Sequence, residues 1–67
     1  MHEHDSPIPF VWHQQYPTYD GLGRYHGLLR LDDAKRIYGR AQYEEESGTI
    51  TILDDDAAER GLAERAA

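Results

Sequence analysis

The stretch Leu31-Asp32-Asp33-Ala34-Lys35-Arg36-Ile37-Tyr38-Gly39-Arg40-Ala41-Gln42-Tyr43-Glu44-Glu45-Glu46 decides the fold, because it reads in two ways. As strand text, Ile37, Gly39, Ala41 and Tyr43 alternate on one face between turns at Asp32–Ala34 and Glu45–Gly48. The alternation extends outward on both sides: Tyr25, Gly27, Leu29 and Leu31 precede the first turn, and Ile50 and Ile52 follow the second. The register then closes with Tyr43 opposite Ile50, Ala41 opposite Ile52 and Leu29 opposite Ile37, all on one face. As helix text, 32–46 carries Asp32 and Asp33 at its positive end and Gly48 beyond its stop, with good helix formers between. Against that helix, Gly39 would sit mid-helix and Glu44, Glu45 and Glu46 would load the negative end of its dipole. The meander is the preferred reading, and a helix at 32–46 packed on a small sheet is the alternative.

Working outward, Phe10 to Tyr16 is rich in strand formers and bounded by Pro9 and Pro17, which suit strand ends, so an edge strand is expected at 9–16. Residues 17–23 are dense in turn formers, with Gly21 and Gly23 free to take positive φ. Downstream, Asp56 and Glu59 form a variant capping box for a short helix at 56–65. Leu62 is its one substantial apolar contact and Gly61 weakens its middle, so 62–67 is expected to fray, as are the polar residues 1–7. The expected fold is α+β, mainly β, in a single small domain spanning 1–67. It is one antiparallel sheet of about four strands (9–16, 25–31, 35–44, 49–53) with a C-terminal helix.

Composition bounds the function. A chain of 67 residues has room for one domain with a marginal core, and with no cysteine it has no disulfide or Cys-based zinc site to brace it. Thirteen Asp and Glu against seven Lys and Arg give a net charge of −6. Direct binding to nucleic acid is disfavoured, since the counterion release that drives it needs cations on the protein. An anionic membrane surface is disfavoured for the same reason, and the longest apolar run, Ile8 to Trp12, is far too short to span a bilayer. No basic region precedes an apolar stretch at the N-terminus, so a secretory signal is not expected, and the absence of cysteine fits a cytoplasmic location.

Residues able to carry chemistry do not assemble into a motif. His2-Glu3-His4 has chelating spacing but lies on the polar tail, and His13 and His26 occupy proposed strands where a histidine is ordinary. Ser6 and Ser47 sit in the lead-in and in a turn, away from any strand-to-helix elbow. Gly21-x-Gly23 lacks the spacing and the Lys-Ser or Lys-Thr partner of a phosphate loop. Asp54-Asp55-Asp56 lacks the spacing of a calcium loop. The expectation is a non-enzymatic protein with no metal and no cofactor.

What remains is a segregation of residue types. Phe10, Trp12, Tyr16, Tyr19 and Tyr25 hold most of the aromatic weight before residue 26, while most charges follow it. These rings either fill the core or reach the surface as interface anchors. The second option, with acidic groups around them, suits a basic protein surface. The expected function is therefore a small acidic protein-binding module, an inhibitor or regulator that docks on a basic, nucleic-acid-handling protein as phage-type nucleic-acid mimics do. Its expected contact residues are Trp12, Tyr16, Tyr19, Glu44, Glu45, Glu46, Asp54, Asp55 and Asp56. Two alternatives stand beside it. One is a carbohydrate or small-ligand platform of Trp12 with Tyr16 or Tyr19, aided by Gln14 and Gln15. The other is an accessory subunit whose aromatic face is covered in a larger complex.

Overall fold

The structure, a computed structural model, describes residues 8–66. The expectations for residues 1–7, including the His2-Glu3-His4 chelate, lie outside the described residues. Along the chain the elements are β1 (Tyr16–Tyr19), β2 (Tyr25–Leu29), α1 (Leu31–Tyr38), β3 (Ala41–Glu44), β4 (Thr49–Ile52) and α2 (Asp55–Ala66). The strands form one sheet in the order β2-β1-β4-β3, and both helices lie against the face that carries Ile50 and Ile52. This is a small α+β fold with a mixed sheet. The antiparallel hairpins β1–β2 and β3–β4 meet through a central parallel pair, Thr18 beside Ile50 and Tyr19 beside Thr51.

The sheet is mixed because α1 replaces a strand. The expected strand at 35–44 is a helix up to Tyr38 and a strand only from Ala41. Leu31, Ala34 and Tyr38 recur at helical spacing and turn inward, while Ile37, placed in the core by the strand reading, is 55% exposed. Leu29 therefore has no Ile37 opposite it and pairs with Tyr16 instead. The alternative helix at 32–46 is too long: Gly39, at φ 85°, donates its N–H to the Lys35 carbonyl and ends it. Both objections to a helix here vanish once it stops at Gly39, since Glu44 then lies on β3. Eight helical residues advance about 12 Å, close to the roughly 14 Å across three strand spacings. The helix thus carries the chain from the β2 edge to the β3 edge, so that β1 and β4 meet in the same direction.

The N-terminal reading also changes. No strand forms at 9–15; residues 8–15 are irregular, with a turn closed by the Gln14 N–H on the Val11 carbonyl. Pro17, read as a strand end, lies inside central strand β1. The parallel ladder to β4 takes in only Thr18 and Tyr19, so the N–H that Pro17 lacks has no ladder bond to make. At the other end, the cap of α2 is Asp54 rather than Asp56: its Oδ1 accepts the Ala57 N–H at 3.1 Å. The helix packs through Ala57, Ala58 and Gly61 rather than through Leu62, and it continues to Ala66. A Cβ on Gly61 would lie 2.8 Å from the Tyr38 ring, so this glycine lets α1 and α2 close on each other.

The core is two small clusters. Tyr16, Ala34, Ala41 and Ile50 form one, Tyr38, Ile52, Ala57 and Ala58 the other, and Leu29 touches both. The expected pairs Tyr43–Ile50 and Ala41–Ile52 are both present in the β3–β4 hairpin.

Candidate functional site

One residue of β2 determines what the uncovered face of the sheet presents. Tyr16 pairs with Leu29, Pro17 with Leu28 and Tyr19 with Tyr25, so β2 spends three steps where β1 spends two. The extra residue is a bulge, and Gly27 within it has φ 97°. Because side chains alternate with period two, one inserted residue exchanges the faces beyond it. Regular alternation would place Tyr25 in the core with Leu29. The bulge instead turns His26 inward, where it is 1% exposed, and Tyr25 outward, where it is 52% exposed.

Tyr25 arrives beside Tyr19, with ring centroids 5.4 Å apart and planes tilted by 47°. The register extends this pair across the sheet into one row, Tyr25, Tyr19, Thr51 and Gln42. Leu28 and Pro17 form a second cross-strand pair beside it, and Thr49 pairs with Glu44 at the far side. Both helices lie on the other face. In a chain that is 30% charged, Glu44 is the one charged residue among these eight, and its carboxylate accepts a 2.6 Å bond from the Gln42 amide.

On the covered side the same hairpin is held by Asp20. Its carboxylate accepts the N–H groups of Leu22 and Arg24 at 2.9 Å each, the Arg24 Nε–H at 2.8 Å and the His26 Nε2–H at 3.0 Å. Burial alone would raise the Asp20 pKa. The bonds from His26, from the Arg24 backbone and guanidinium and from Leu22 outweigh it and hold the carboxyl at about 2. Arg24 reaches on to Glu59 on α2 at 2.7 Å, and that carboxylate first, with Asp20 after it, raises the guanidinium pKa. The His26 ring packs edge-on to Tyr38 at 5.2 Å, and its Nδ1 is buried without a partner. Neither the Asp20 nor the His26 side chain is exposed to solvent, so this pair braces the turn and presents no reactive atom at the surface.

The expected contact residues do not converge. Tyr16 is 3% exposed and belongs to the core, where its ring packs on Phe10 and Tyr43, which corrects its place in a binding surface. Trp12 is 66% exposed at a turn and pairs with His13, so the expected platform of Trp12 with Tyr16 or Tyr19 is not assembled. Tyr19 lies on the uncovered face. Glu45 and Glu46 are exposed in the β3–β4 turn, and Asp55 and Asp56 are exposed on the first turn of α2. Their two groups flank β4 and stand roughly 15 Å apart at ordinary strand rise.

Residues 8–11 close the remaining end of the core as a strap. The Ile8 N–H bonds the Glu45 carbonyl at 2.9 Å, and the Tyr43 hydroxyl donates to the Ile8 carbonyl at 2.9 Å. Burial, then the neighbouring Tyr16, raises the pKa of the Tyr43 phenol, which favours this donor role.

Sequence reading missed Tyr25, Leu28 and the Asp20 hub. The available signal was Asp20 at the head of Asp-Gly-Leu-Gly, the position from which an aspartate bonds the backbone two residues on. Comparison with known proteins gives no matching family model, no matching curated protein and no matching solved structure. The described residues contain no helix long and apolar enough to cross a membrane, no group of three or more metal-ligating side chains and no enclosed pocket.

Proposed function

We propose that this chain is a small non-catalytic module that binds another protein through the uncovered face of its sheet. The observation that carries the reading is the bulge at Gly27, which sets Tyr25 beside Tyr19 in a cross-strand row, Tyr25, Tyr19, Thr51 and Gln42, that holds no charged side chain. Interface centres are depleted in charge and enriched in aromatic residues, and this row has that composition. The partner is basic. A net charge of −6, with Glu45, Glu46, Asp55 and Asp56 exposed away from the aromatic row, speeds encounter with a positive surface while the rings hold the complex. A nucleic-acid-handling protein, inhibited or regulated by the contact, fits this description, and the cytoplasm is a compartment where such partners are found.

Affinity capture with three forms of the chain tests the reading: the wild type, a Tyr19→Ala/Tyr25→Ala form, and an E45Q/E46Q/D55N/D56N form. A basic protein should be retained by the wild type, lost by the tyrosine variant and retained only at low salt by the neutralised variant. Retention that the tyrosine variant leaves intact would refute the face as the contact.

A second reading keeps a stacking platform but moves it. Tyr19 and Tyr25 share a row with Thr51 and Gln42, which combines ring faces with hydroxyl and amide groups as a sugar site does. Tyrosine ring shifts on titration with oligosaccharides, in the absence of any protein partner, would favour this reading over the first.

A further inference from the structure

The strap at 8–11 is held the way a proline-containing peptide is held in a groove. Ile8-Pro9-Phe10-Val11 is an apolar segment outside the helices and strands. Its Phe10 ring lies 6.0 Å from Tyr16, stacked at 26°, and 5.2 Å from Tyr43. Its backbone is read at both ends. The Tyr43 hydroxyl donates to the Ile8 carbonyl, the Val11 N–H donates to the Tyr16 hydroxyl at 2.7 Å, and that hydroxyl faces the Pro9 carbonyl at a longer 3.4 Å. The Ile8 side chain rests over Gly48, where an added Cβ would stand 3.0 Å from its terminal methyl. Aromatic-lined grooves are a recurring way in which proteins take proline-containing segments.

We propose that Tyr16, Tyr43 and Gly48 form a peptide groove occupied in cis by Ile8–Val11, and that the ligand it takes in trans is an extended apolar-proline-aromatic segment. This groove is separate from the uncovered sheet face and does not depend on the reading given to that face. Two features make the strap exchangeable. Ile8 and Phe10 remain 43% and 41% exposed, and the strap joins the sheet through Trp12 to Gln15, all exposed. A tethered ligand acts at a high effective concentration, so a segment in trans competes only when the tethered one is weakened.

The test uses the full chain and, as probe, a synthetic peptide with the sequence of residues 6–12. Phe10→Ala removes the ring that stacks on Tyr16 and leaves the groove intact. The peptide should produce saturable amide shifts at Tyr16, Tyr43 and Gly48 in this variant, with half-saturation at least tenfold lower than in the wild type. A peptide whose phenylalanine is replaced by alanine should bind at least tenfold more weakly. No saturable shift up to millimolar peptide, or equal saturation of wild type and variant, overturns the proposal.

Should Phe10→Ala fail to give a dispersed spectrum, hydrogen exchange on the wild type decides. Ile8 and Val11 amides exchanging at least tenfold faster than those of Ile50 and Ile52 support a strap that releases on its own. Exchange in step with β4 overturns it.

Discussion

The two hairpins of this sheet are built on opposite principles. In β3–β4 every residue from Ala41 to Glu44 has one partner, and the faces alternate without interruption. In β1–β2 the ladder slips at Gly27, and the residues on the turn side of the slip exchange faces. The regular hairpin puts its apolar side chains inward, and its stability follows from that burial. The irregular hairpin puts a histidine inward and a tyrosine outward, and Asp20 braces it by accepting from the His26 Nε2–H, from Arg24 and from the Leu22 backbone, while the His26 Nδ1 stays without a partner. Regularity stabilises the fold; the departure from it creates the surface that distinguishes this molecule.

The largest expected effect tests what holds the irregular hairpin. Asp20→Ala leaves the Arg24 Nε–H, two backbone N–H groups and the His26 Nε2–H without their acceptor, while the Arg24 guanidinium keeps Glu59. Breaking a buried pair in this way costs about 3–5 kcal/mol. A chain of this size holds roughly 3–10 kcal/mol in all, so urea unfolding of Asp20→Ala should show little or no folded baseline. Ile50→Ala breaks the regular hairpin by cavity formation alone, at about 3 kcal/mol. A urea midpoint for Asp20→Ala close to the wild type's would mean that Asp20 is not what holds β1–β2.

Acid separates the hairpins further. The Asp20 carboxyl titrates at about 2 in the folded chain and at 3.8 when unperturbed. The unfolded chain therefore takes up the proton first. The stabilisation from this carboxylate is complete above the unfolded value and disappears as pH falls from about 4 towards 2. At 1.36 kcal/mol per pKa unit it is about 2 kcal/mol. Stability measured by urea titration across this window should fall by that amount in the wild type and in any β3–β4 surface variant. In Asp20→Asn the acid limb should be absent, and its persistence there would assign it to other carboxylates.

How much of this was legible follows the same division. Tyr43 opposite Ile50 and Ala41 opposite Ile52 could be read from the sequence because period-two alternation and a turn ending in Gly48 suffice where no residue is inserted. The turn into α2 and the helix itself were legible from its aspartates and alanines. A one-residue bulge leaves no periodic trace, so alternation alone keeps Tyr25 on the Leu29 face and His26 on the opposite one. The short helix α1 was hidden for a related reason. Ile37 and Tyr38 are adjacent and both apolar, so a period of two selects one and a period of 3.6 the other, and only packing against α2 decides for Tyr38. The candidate face was legible through Tyr19 and Glu44, since its other aromatic depends on the bulge.

Smaller effects address the bulge. Gly27→Ala keeps the chain length but forces an L-residue into positive φ, which costs about 1–2 kcal/mol. The variant should remain folded, with a lowered urea midpoint and altered amide shifts confined to β1 and β2. A shift pattern that spreads into β3–β4 would mean that the hairpins are not independent in this respect.

The smallest expected change in stability belongs to Tyr25→Ser, and it discriminates most sharply. Were Tyr25 a core residue, as uninterrupted alternation requires, truncating its ring would cost about 3–5 kcal/mol. On the uncovered face it loses only the cross-strand contact with Tyr19, about 0.5–1 kcal/mol. Thermal or urea unfolding of the single variant reads the difference directly. A small loss of stability with a large loss of partner binding would place the functional role of this hairpin on the residue that the bulge turned outward. A large loss of stability would return Tyr25 to the core and remove the aromatic face altogether. The single inserted residue in β2 is thus a claim about function as well as geometry, because the same measurement decides both.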